Sequence, residues 1–436
     1  MVKKSAPKPP LEIRDPIHGP ILLSADELKV LDSPFVQRLR RIKQTGFAEL
    51  AFPGATHNRY SHSLGAFHLA GRAFDQIFSD DLMFDDQEER LRFRNLLRMA
   101  ALLHDSGHGP LSHAIEQAMP TKAEVLAGLR SEKLTGQASH EDYTDVIILK
   151  SSLTQILKET FGEDAPLAIS SIIRNNNSKP SLFITSDGRN LFPILSSLIS
   201  GELDIDRMDY LVRDSLYCGI PYGNFDRDWI FSNLTYVEND KNIFLALDSR
   251  ATYAFEDFLL SRYHMFVQVY LHHKSVIYDE MLYQWLLTDD QKTKLPSNID
   301  DYLEVDDNWL GVRLRASKNP WAQRIVSQKP YKMMLEVQAD VAEEARVYAN
   351  ELEQKLKKAG IAYFRSSSTG LLSKYAGASE THNNNPIFVK YRDPRFTSSH
   401  KPGKSVEPIS EAVELFDRYS KKRIIDRIFA ERALEL

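Results

Sequence analysis

The order of hydrophobic and polar positions along the chain predicts a mainly helical protein. Over long stretches, apolar residues recur at spacings of three and four, which places them on one face of an α-helix. Leu96, Ala100 and Leu103 follow this spacing. The same pattern predicts helices over the ranges 61–78, 87–105, 143–160, 192–200, 253–287, 338–358 and 409–436.

Strand-like segments are short and lie late in the chain. Runs rich in β-branched and aromatic residues predict strands over 242–247, 361–366 and 386–392. The predicted fold class is therefore mainly α, with a helical core and a smaller mixed α/β C-terminal part. A change to polar composition near residue 295 predicts a division into a flexible N-terminus at 1–11, a core at 12–295 and a C-terminal region at 296–436.

The overall composition is that of an ordinary globular protein, with 436 residues of which 42% are hydrophobic and 26% charged. The net charge of −5 argues against nucleic acid as the main partner. The single cysteine, Cys218, excludes an intrachain disulfide and favours a reducing compartment. Because the chain shows neither a secretory signal nor an apolar run of ~18 residues, we expect a soluble, cytoplasmic protein without a membrane span.

The segment 101–113, ALLHDSGHGPLSH, concentrates possible metal ligands at the end of a predicted helix. His104 and Asp105 point ~100° apart on that helix, so both reach one ion only if it lies near the helix end. Two glycines and a proline then leave His108 and His113 on an irregular segment. A lone histidine here would most often be a buried hydrogen-bonding side chain. Three histidines beside an aspartate instead favour a divalent cation site.

Two other segments could supply the remaining ligands. His62 lies on the apolar face of the helix predicted over 61–78. Asp206, Tyr210 and Asp214 are spaced i, i+4 and i+8, so they line one helix face. A solvated, charged helix face would show the same spacing, but together with the histidine motif Asp206 becomes a credible fourth ligand.

Five ordered blocks of the chain resemble the HD-domain deoxynucleotide triphosphohydrolases, a family with animal and many bacterial members. The blocks are IRDPIHGPI at 13–21, QRLRRIKQTG at 37–46, FPGATHNRYSHSLG at 52–65, LLHDSGHGPLSH at 102–113 and DIDRMDYLVRDS at 204–215. The resemblance covers roughly residues 12–285 and implies an HD-domain helical core. It also implies one divalent metal, either iron, manganese, nickel, zinc or magnesium, held by His62, His104, Asp105 and Asp206.

The implied reaction is the attack of water on the α-phosphate of a deoxynucleoside triphosphate (dNTP), which releases a deoxynucleoside and inorganic triphosphate. The resemblance makes His113 the general acid, because the 5′-oxygen leaves poorly without a proton. Glu116 could orient His113 if that segment is helical. His108 and His140 match histidines that contact the phosphates in the family.

The resemblance also implies a set of substrate contacts. Arg59, Arg207 and Arg262 match cations that bind the phosphates. Residues matching contacts to the sugar and base are Gln44, Tyr210, Asp214 and Tyr270. The chain departs from the family at positions that border the sugar and base, namely Thr45, Phe266 and Leu271, so the base preference stays open.

Allosteric residues are implied by the same resemblance. Asp32, Gln37 and Arg40 match residues that bind a guanine-nucleotide activator at a subunit interface in the animal members. The expected partners are thus a dNTP substrate, a GTP or dNTP activator and further copies of the chain in a dimer or tetramer. A solvated basic helix face would explain the stretch 37–43 equally well.

Two other functions are compatible with the motifs. One is an HD phosphodiesterase or nucleotidase that acts on another phosphoester, for which three arginines and three further histidines exceed the need of one phosphate. The other is a non-catalytic nucleotide sensor, against which every ligand and proton-transfer position is filled. We therefore take a metal-dependent dNTP triphosphohydrolase as the leading hypothesis.

Overall fold

The computed structural model describes residues 11–80, 83–129, 134–289, 293–338, 343–370, 385–393, 405–413, 415 and 423–432. Most regular structure within these ranges is helical, which confirms the predicted fold class. The helices are α1 (Ala25–Leu31), α2 (Pro34–Arg38), α3 (Arg59–Ile77), α4 (Gln87–Leu103), α5 (Lys122–Val125), α6 (His140–Lys150), α7 (Ser152–Phe161), α8 (Ala165–Arg174), α9 (Phe192–Ser200), α10 (Ile205–Cys218), α11 (Arg227–Ser232), α12 (Thr252–Met265), α13 (His273–Thr288), α14 (Ile299–Tyr302), α15 (Asp307–Ala316), α16 (Pro320–Val326), α17 (Glu343–Lys358) and α18 (Ile409–Ala412). None of these helices combines the length and apolar character needed to cross a lipid bilayer.

The strands form three small sheets. They are β1 (Leu11–Asp15), β2 (Gly19–Leu23), β3 (Leu234–Asn239), β4 (Asn242–Asp248), β5 (Lys332–Gln338), β6 (Tyr363–Gly370), β7 (Phe388–Lys390), β8 (Val406–Pro408) and β9 (Arg423–Ala430). β1 and β2 form an antiparallel hairpin, and the second sheet has the order β3-β4-β7-β8 with β4 and β7 parallel. In the third sheet β9 lies between β5 and β6 and is antiparallel to both.

The helices that carry the candidate site pack around an extended apolar core. α3 packs against α4 and α10, while α8 packs against α4 and α9. Small residues on α3 and α4, among them Ala66, Ala70 and Ala101, are fully buried and let the helices approach closely. Leu97 on α4 is also fully buried, and burial of such a side chain contributes about 2 kcal/mol to stability.

Capping residues fix where the helices of the site begin. The side chain of Asn58 accepts a hydrogen bond from the backbone N–H of Ser61 at 3.1 Å, which starts α3 just before His62. Asp204 caps α10 in the same way through the backbone N–H of Arg207 at 2.9 Å, and so places Asp206 in the first turn. His62 and Asp206 therefore lie in the first turns of helices whose start is set by a cap.

Several predicted elements are confirmed, with one helix divided in two. α3, α4 and α9 match the helices predicted over 61–78, 87–105 and 192–200, and β4, β6 and β7 match the three predicted strands. The helix predicted over 143–160 is broken at Ser151. The hydroxyl of Ser151 accepts a hydrogen bond from the N–H of Leu153 at 3.0 Å and caps a new helix, α7.

The helix predicted over 253–287 is also interrupted. A π-helical turn at Phe266–Tyr270 follows α12 and precedes α13. Wider turns of this kind rotate the following side chains away from α-helical positions and are frequent at functional sites. That Arg262, Phe266 and Tyr270 share one face stays a prediction; Phe266 and Tyr270 line the cavity described below, whereas Arg262 does not.

The prediction of a helix over 409–436 is wrong for residues 423–430. Residues 423–430 form the central strand β9, paired on both sides. A strand with neighbours on both edges and burial on both faces loses the simple alternation of polar and apolar positions, and its apolar run fits a helix equally well. The helix predicted over 338–358 begins later, at Glu343, because 332–338 form β5.

The proposed domain boundaries stay predictions. Residues 1–10 of the predicted flexible segment 1–11 lie outside the described residues, and Leu11 already belongs to β1. β7 and β8, from the region 296–436, complete a sheet with β3 and β4 from the region 12–295.

Candidate active site

A cavity of about 630 Å³ brings together most of the residues predicted to form the site. Its walls come from the start of α3, the turn after α4, the start of α6, one face of α10, the π-helical turn and α13. Predicted residues that line it are Gln44, Arg59, His104, Asp105, His108, His113, His140, Asp206, Tyr210, Asp214 and Tyr270. The predicted face of α10, with Asp206, Tyr210 and Asp214 one turn apart, is thus confirmed as a cavity wall.

The four predicted metal ligands lie close together, in a group called the metal end below, and three of them, His104, Asp105 and Asp206, line this cavity. Nε2 of His62 lies 2.9 Å from Oδ1 of Asp206 and 3.4 Å from Nε2 of His104. Nε2 of His104 lies 3.4 Å from carboxylate oxygens of both Asp105 and Asp206. The side-chain atoms of His62, His104 and Asp206 all lie within 4.8 Å of one another, which suits a shared ion. Two imidazoles and two carboxylates form a donor set for a divalent metal.

Hydrogen bonds on the far side of each imidazole orient its Nε2 atom toward the cluster. Nδ1 of His104 donates to the carbonyl oxygen of Ala101 at 2.8 Å, and Nδ1 of His62 donates to Oδ2 of Asp209 at 2.8 Å. Such bonds set the tautomer and leave Nε2 as the lone-pair donor to a metal. The histidines are therefore held in the form that a cation requires.

Asp209 is itself fixed by a buried polar network. Its carboxylate accepts hydrogen bonds from Arg213, at 2.8 and 2.9 Å, and lies 2.6 Å from Nε2 of His18. Arg213 also donates to Asp15, at the end of β1, at 2.9 Å. All of these side chains, including that of His18, are at least 95% buried, so each charge is paired where water cannot compensate it.

The electrostatics of the metal end favour a cation. Burial alone would lower the pKa of His62, but its hydrogen bonds to Asp206 and Asp209 raise that pKa to about 10. Burial would raise the pKa of Asp206, yet the neighbouring histidines hold it well below its usual range. The negative potential of these carboxylates favours the positively charged form of the neighbouring imidazoles. The same potential favours a metal cation.

Arg59 links the candidate metal ligands to the turn after α4 that contains Ser112. Its guanidinium pairs with Asp105, and its Nε donates to Oγ of Ser112 at 2.8 Å. The charge of Arg59 keeps the pKa of Asp105 well below its usual range against the opposing effect of burial. Because Arg59 also lines the cavity, one cation is already positioned beside the candidate metal ligands.

A second cluster contains the four residues predicted to take part in catalysis. Nδ1 of His113 lies 3.0 Å, and Nδ1 of His140 2.6 Å, from the same Oε1 of Glu116. The ring of His108 stacks on that of His140 at 3.8 Å with an interplanar angle of 13°. These hydrogen bonds, more than the opposing effect of burial, lower the pKa of Glu116 to about 2. Glu116 is thus an ionised carboxylate that orients two imidazoles, as the sequence predicted for His113.

The turn that carries these histidines is built from strained and close-packed backbone. Leu111 and Ser112 both have left-handed backbone conformations, with φ of 54° and 61°. Such conformations cost about 1–3 kcal/mol each for residues with a side chain and cluster at active sites. The carboxylate of Asp307 accepts hydrogen bonds from the N–H groups of Leu111, at 2.8 Å, and Lys43, at 3.0 Å, and holds the turn in place.

Gly107 lets α6 approach the same turn. A Cβ at this position would lie 2.0 Å from the carbonyl oxygen of His140, so only glycine fits. Its N–H donates to Oγ1 of Thr144 at 3.0 Å, and its carbonyl accepts from Tyr302 at 2.9 Å. This close packing brings His140 beside His108.

The residues predicted to contact the sugar form a third group. Tyr270 donates to Oδ2 of Asp214 at 2.6 Å, and Nε2 of His57 lies 2.7 Å from Oδ1 of the same carboxylate. The rings of Tyr210 and Tyr270 meet edge to face at 6.0 Å. Asp214 therefore stands with both oxygens fixed at the cavity wall, beside two aromatic rings.

Two predicted phosphate contacts do not line the cavity. Nη1 of Arg262 donates to Glu202 at 2.8 Å, and Nη1 of Arg207 donates to Asp204. Both arginines are more than 90% buried and are neutralised by these acidic partners. Their role in phosphate binding stays a prediction.

The predicted allosteric residues lie apart from the cavity. Arg40 is exposed, donates to Oε1 of Gln37 at 2.8 Å and stacks on the ring of Tyr60 at 3.6 Å. Asp32 is exposed at the end of α1. The structure thus brings Gln37 and Arg40 into contact, while their regulatory role stays a prediction.

Several supporting residues were missed from the sequence. His18, Asp209 and Asp307 position the site without lining the cavity, and His57 fixes Asp214. Asp209 could have been found from Arg213, four residues later on the same helix, since a buried arginine requires a nearby carboxylate. No local pattern points to Asp307, because its hydrogen-bond partner Leu111 lies 196 residues earlier in the chain.

Profiles of known families match two consecutive parts of the chain. The HD domain matches residues 59–214, the part that supplies the metal end and most of α10. A region described as HD-associated matches residues 225–363, which include the π-helical turn, α13 and Asp307.

Similar proteins occur in archaea, bacteria and eukaryotes. An uncharacterised protein of Methanocaldococcus jannaschii is 32% identical over 323 residues, which are 74% of this chain and 59% of the relative. The deoxynucleoside triphosphate triphosphohydrolase SAMHD1 homologue of Dictyostelium discoideum is 28% identical over 363 residues, 80% of this chain and 64% of that protein. An uncharacterised Bacillus subtilis protein is 34% identical over 265 residues, and the chain spans only 51% of its length. The chain thus spans between half and two thirds of these relatives.

Two solved structures share the whole architecture. The crystal structure of a hypothetical protein from Aquifex aeolicus superposes with a TM-score of 0.71 at 26% identity and covers 97% of both chains. A phosphohydrolase from Bacteroides thetaiotaomicron superposes with a TM-score of 0.66 at 25% identity, over 97% of this chain and 100% of that one.

Proposed function

The chain belongs to the HD-domain phosphohydrolases, and from that premise we propose that it hydrolyses dNTPs to a deoxynucleoside and inorganic triphosphate. The observation that carries the proposal is a single cavity with three functional zones. Its lining includes candidate metal ligands, two histidines oriented by Glu116 and an aspartate held by Tyr270 and His57. These zones correspond to the needs of a phosphate, a leaving group and a deoxyribose.

The residues at the metal end fit a divalent ion. His62, His104, Asp105 and Asp206 would hold it, and when bound it polarises a phosphoryl oxygen and lowers the pKa of a water molecule. Arg59 adds a fixed positive charge beside the same residues. Since the phosphates of a dNTP carry about four negative charges, both cations reduce the cost of binding them in a partly buried cavity.

In the proposed reaction His113 protonates the leaving group. Its Nδ1 is held by the ionised Glu116 at 3.0 Å, so Nε2 is the ring nitrogen left to donate to a substrate. The 5′-oxygen of a nucleoside is a poor leaving group, and protonation by a positioned acid accelerates such steps by ~10²–10⁴-fold. Glu116 also fixes His140, whose ring packs against His108 and completes the wall.

The sugar zone supports a preference for deoxyribose. Asp214 would accept the 3′-hydroxyl, and the rings of Tyr210 and Tyr270, which meet at 6.0 Å, would pack against the sugar and exclude a 2′-hydroxyl. Gln44 also lines this cavity. Exclusion of an extra hydroxyl depends on such close packing, whereas recognition of an existing one depends on a hydrogen bond.

By the same resemblance we extend the proposal to regulation. A GTP or dNTP activator would bind at Asp32, Gln37 and Arg40 and would stabilise a homo-oligomer, either a dimer or a tetramer. The contact between Gln37 and Arg40 and the exposure of Arg40 and Asp32 support this placement.

The test is turnover of each dNTP by the purified protein. Mn²⁺ or Mg²⁺ is supplied, with and without GTP, and the products are separated by chromatography. We expect a deoxynucleoside and triphosphate from the native protein and no turnover from the double variant His104→Ala, Asp105→Ala. Turnover that survives in that variant, or its absence from the native protein under every metal and nucleotide, would contradict the proposal.

A further inference from the structure

Two polar residues of α13 line the cavity and have no role in the chemistry above. Ser275 and Asp279 lie one turn apart on α13, and both line the cavity. α13 packs against the turn Gly46–Leu50, and residues 44–48 also line the cavity. These two segments thus meet around one part of the cavity.

The polar groups of this part of the cavity lack partners within the described part of the chain. Oγ of Ser275, Oε1 of Gln44 and Oγ1 of Thr45 are all buried without a hydrogen bond. The carboxylate of Asp279 neither accepts a hydrogen bond from a described residue nor pairs with a cation there. Each buried polar group left without a partner costs about 1–3 kcal/mol, so three such oxygens beside the half-buried Asp279 in one cavity indicate that a ligand completes them.

Asp279 is the strongest hydrogen-bond acceptor of these groups when its carboxylate is ionised. Burial, with a smaller contribution from the charge of Glu280, raises its pKa to about 7. A carboxylate in this state gains more from hydrogen-bond donors than one in water, because nothing else compensates its charge.

The remaining walls suit a flat, apolar ring. Phe47, Phe266, Val269 and Leu271 line the same cavity as Asp279, and Phe266 meets Tyr270 at 6.2 Å. Tyr270 donates to the aspartate expected to bind the sugar. A base attached to that sugar would therefore enter the region between these apolar side chains and α13.

The hydrogen-bonding edges of the bases differ in a way that a carboxylate distinguishes. An ionised carboxylate only accepts hydrogen bonds. Guanine alone presents two adjacent donors, N1–H and N2–H, on its Watson–Crick edge. Adenine and cytosine present a donor beside an acceptor, and thymine presents a single donor between two acceptors.

We propose that Asp279, assisted by Ser275, selects the base of the substrate and makes guanine the preferred one. This inference rests on the proposed dNTP hydrolysis and names the determinant of its specificity. A site built to hydrogen-bond a group discriminates strongly against ligands that lack it, because the buried carboxylate then stays unpaired.

The test is the ratio of kcat/KM values for the four dNTPs at pH 8.5, where Asp279 is ionised. We expect the native protein to prefer dGTP by about tenfold or more, as two hydrogen bonds to a charged acceptor allow. Asp279→Asn should lower kcat/KM for dGTP by ~10–100-fold and raise the values for dATP and dCTP, because an amide offers one acceptor and one donor. The neighbouring Glu280→Gln is the matched control and should leave the ranking unchanged.

A second measurement separates this inference from the proposed function. Titration calorimetry with the four deoxynucleosides requires no turnover, and Ser275→Ala provides a second variant whose loss of selectivity should be several-fold. Preferential binding of deoxyguanosine without any dNTP turnover would uphold the inference and contradict the proposed function. Turnover with no preference for dGTP, or an equal loss on all four dNTPs in Asp279→Asn, would overturn the inference and leave the function intact.

Discussion

Nδ1 of His62 donates to Oδ2 of Asp209 across 2.8 Å, so a residue that lines no part of the cavity fixes a candidate metal ligand. Asp209 is fully buried and is held in turn by Arg213 and His18. The orientation of His62 thus depends on a network that reaches from α10 to the β1–β2 hairpin.

We expect Asp209→Asn to weaken divalent metal binding by ~10–100-fold, because the amide cannot hold the imidazole in the same way. Calorimetric titration with Mn²⁺ measures the effect. The surface variant Asp228→Asn, whose partner Arg72 is also exposed, serves as the control. Equal metal affinity in both variants would show that Asp209 does not support the site.

The substitution Gly65→Ala tests whether close packing around Asp209 and Arg213 maintains the same network. A Cβ at this position would lie 1.9 Å from Oδ1 of Asp209 and 2.4 Å from Nη2 of Arg213, so Gly65→Ala must displace a buried ion pair. We expect a loss of about 2–4 kcal/mol in the free energy of unfolding, together with weaker metal binding. Gly311→Ala, on α15, meets only the flexible end of Arg315 at 3.2 Å and should stabilise the protein by about 0.5–1 kcal/mol. Chemical denaturation compares the two variants, and similar effects at both glycines would refute the packing argument.

His113 is expected to act only where the leaving group needs a proton. His113→Ala should lower kcat for a dNTP by ~10²–10⁴-fold. The same variant should lose far less activity on a p-nitrophenyl triphosphate ester, because p-nitrophenolate leaves without protonation. Since 68% of the side chain is exposed, added imidazole should restore part of the activity. A uniform loss on both substrates would instead assign His113 to binding, and the exposed neighbour variant Gln117→Ala is the control.

The pKa of Asp279 predicts how stability changes with pH. Its folded-state pKa, about 7, lies above the ordinary value of 3.8 because of burial. The protonated carboxyl therefore stabilises the folded state fully below pH 3.8, and this contribution is lost as the pH rises through 7. In Asp279→Asn the free energy of unfolding should fall less between pH 5.5 and pH 8.5 than in the native protein, by about 2 kcal/mol. Parallel curves, measured by urea denaturation, would show that Asp279 is not buried in the folded state.

Arg40 tests the proposed regulation. Its guanidinium stacks on Tyr60 and contacts Gln37 at an exposed surface. Arg40→Ala should abolish any increase in sedimentation coefficient that GTP produces, and should leave turnover without GTP unchanged. Lys29→Ala, a surface lysine on α1 paired with Asp26, should respond to GTP like the native protein. A GTP response that survives in Arg40→Ala would place the activator elsewhere.

The spacing of residues within short segments was enough to predict the helices of the site and one helix face. The helices carrying His62 and His104 followed from their apolar spacing, and the shared face of Asp206, Tyr210 and Asp214 followed from helix geometry. The interruptions of the predicted helices at Ser151 and at Phe266–Tyr270 were missed. A cap or a π-helical turn alters the apolar spacing at only a few residues of a strongly helical pattern.

Long-range contacts account for what the sequence did not predict. β9 is a strand because β5 and β6 cover both of its edges, and nothing within 423–430 distinguishes this from a helix. Asp209 and Asp307 support the site through partners far away in the sequence, namely His62 and Leu111. Arg262 was assigned to the phosphates from its motif, whereas in the structure Glu202 neutralises it.

The measurement that tests the account most directly is the fate of oxygen from ¹⁸O-labelled water during dGTP turnover. Attack at the α-phosphorus with departure of the 5′-oxygen puts one ¹⁸O atom into inorganic triphosphate and none into deoxyguanosine, which mass spectrometry of the products would reveal. This is the predicted result. Labelled deoxyguanosine, or a monophosphate formed with pyrophosphate, would contradict the roles assigned to the metal ligands and to His113.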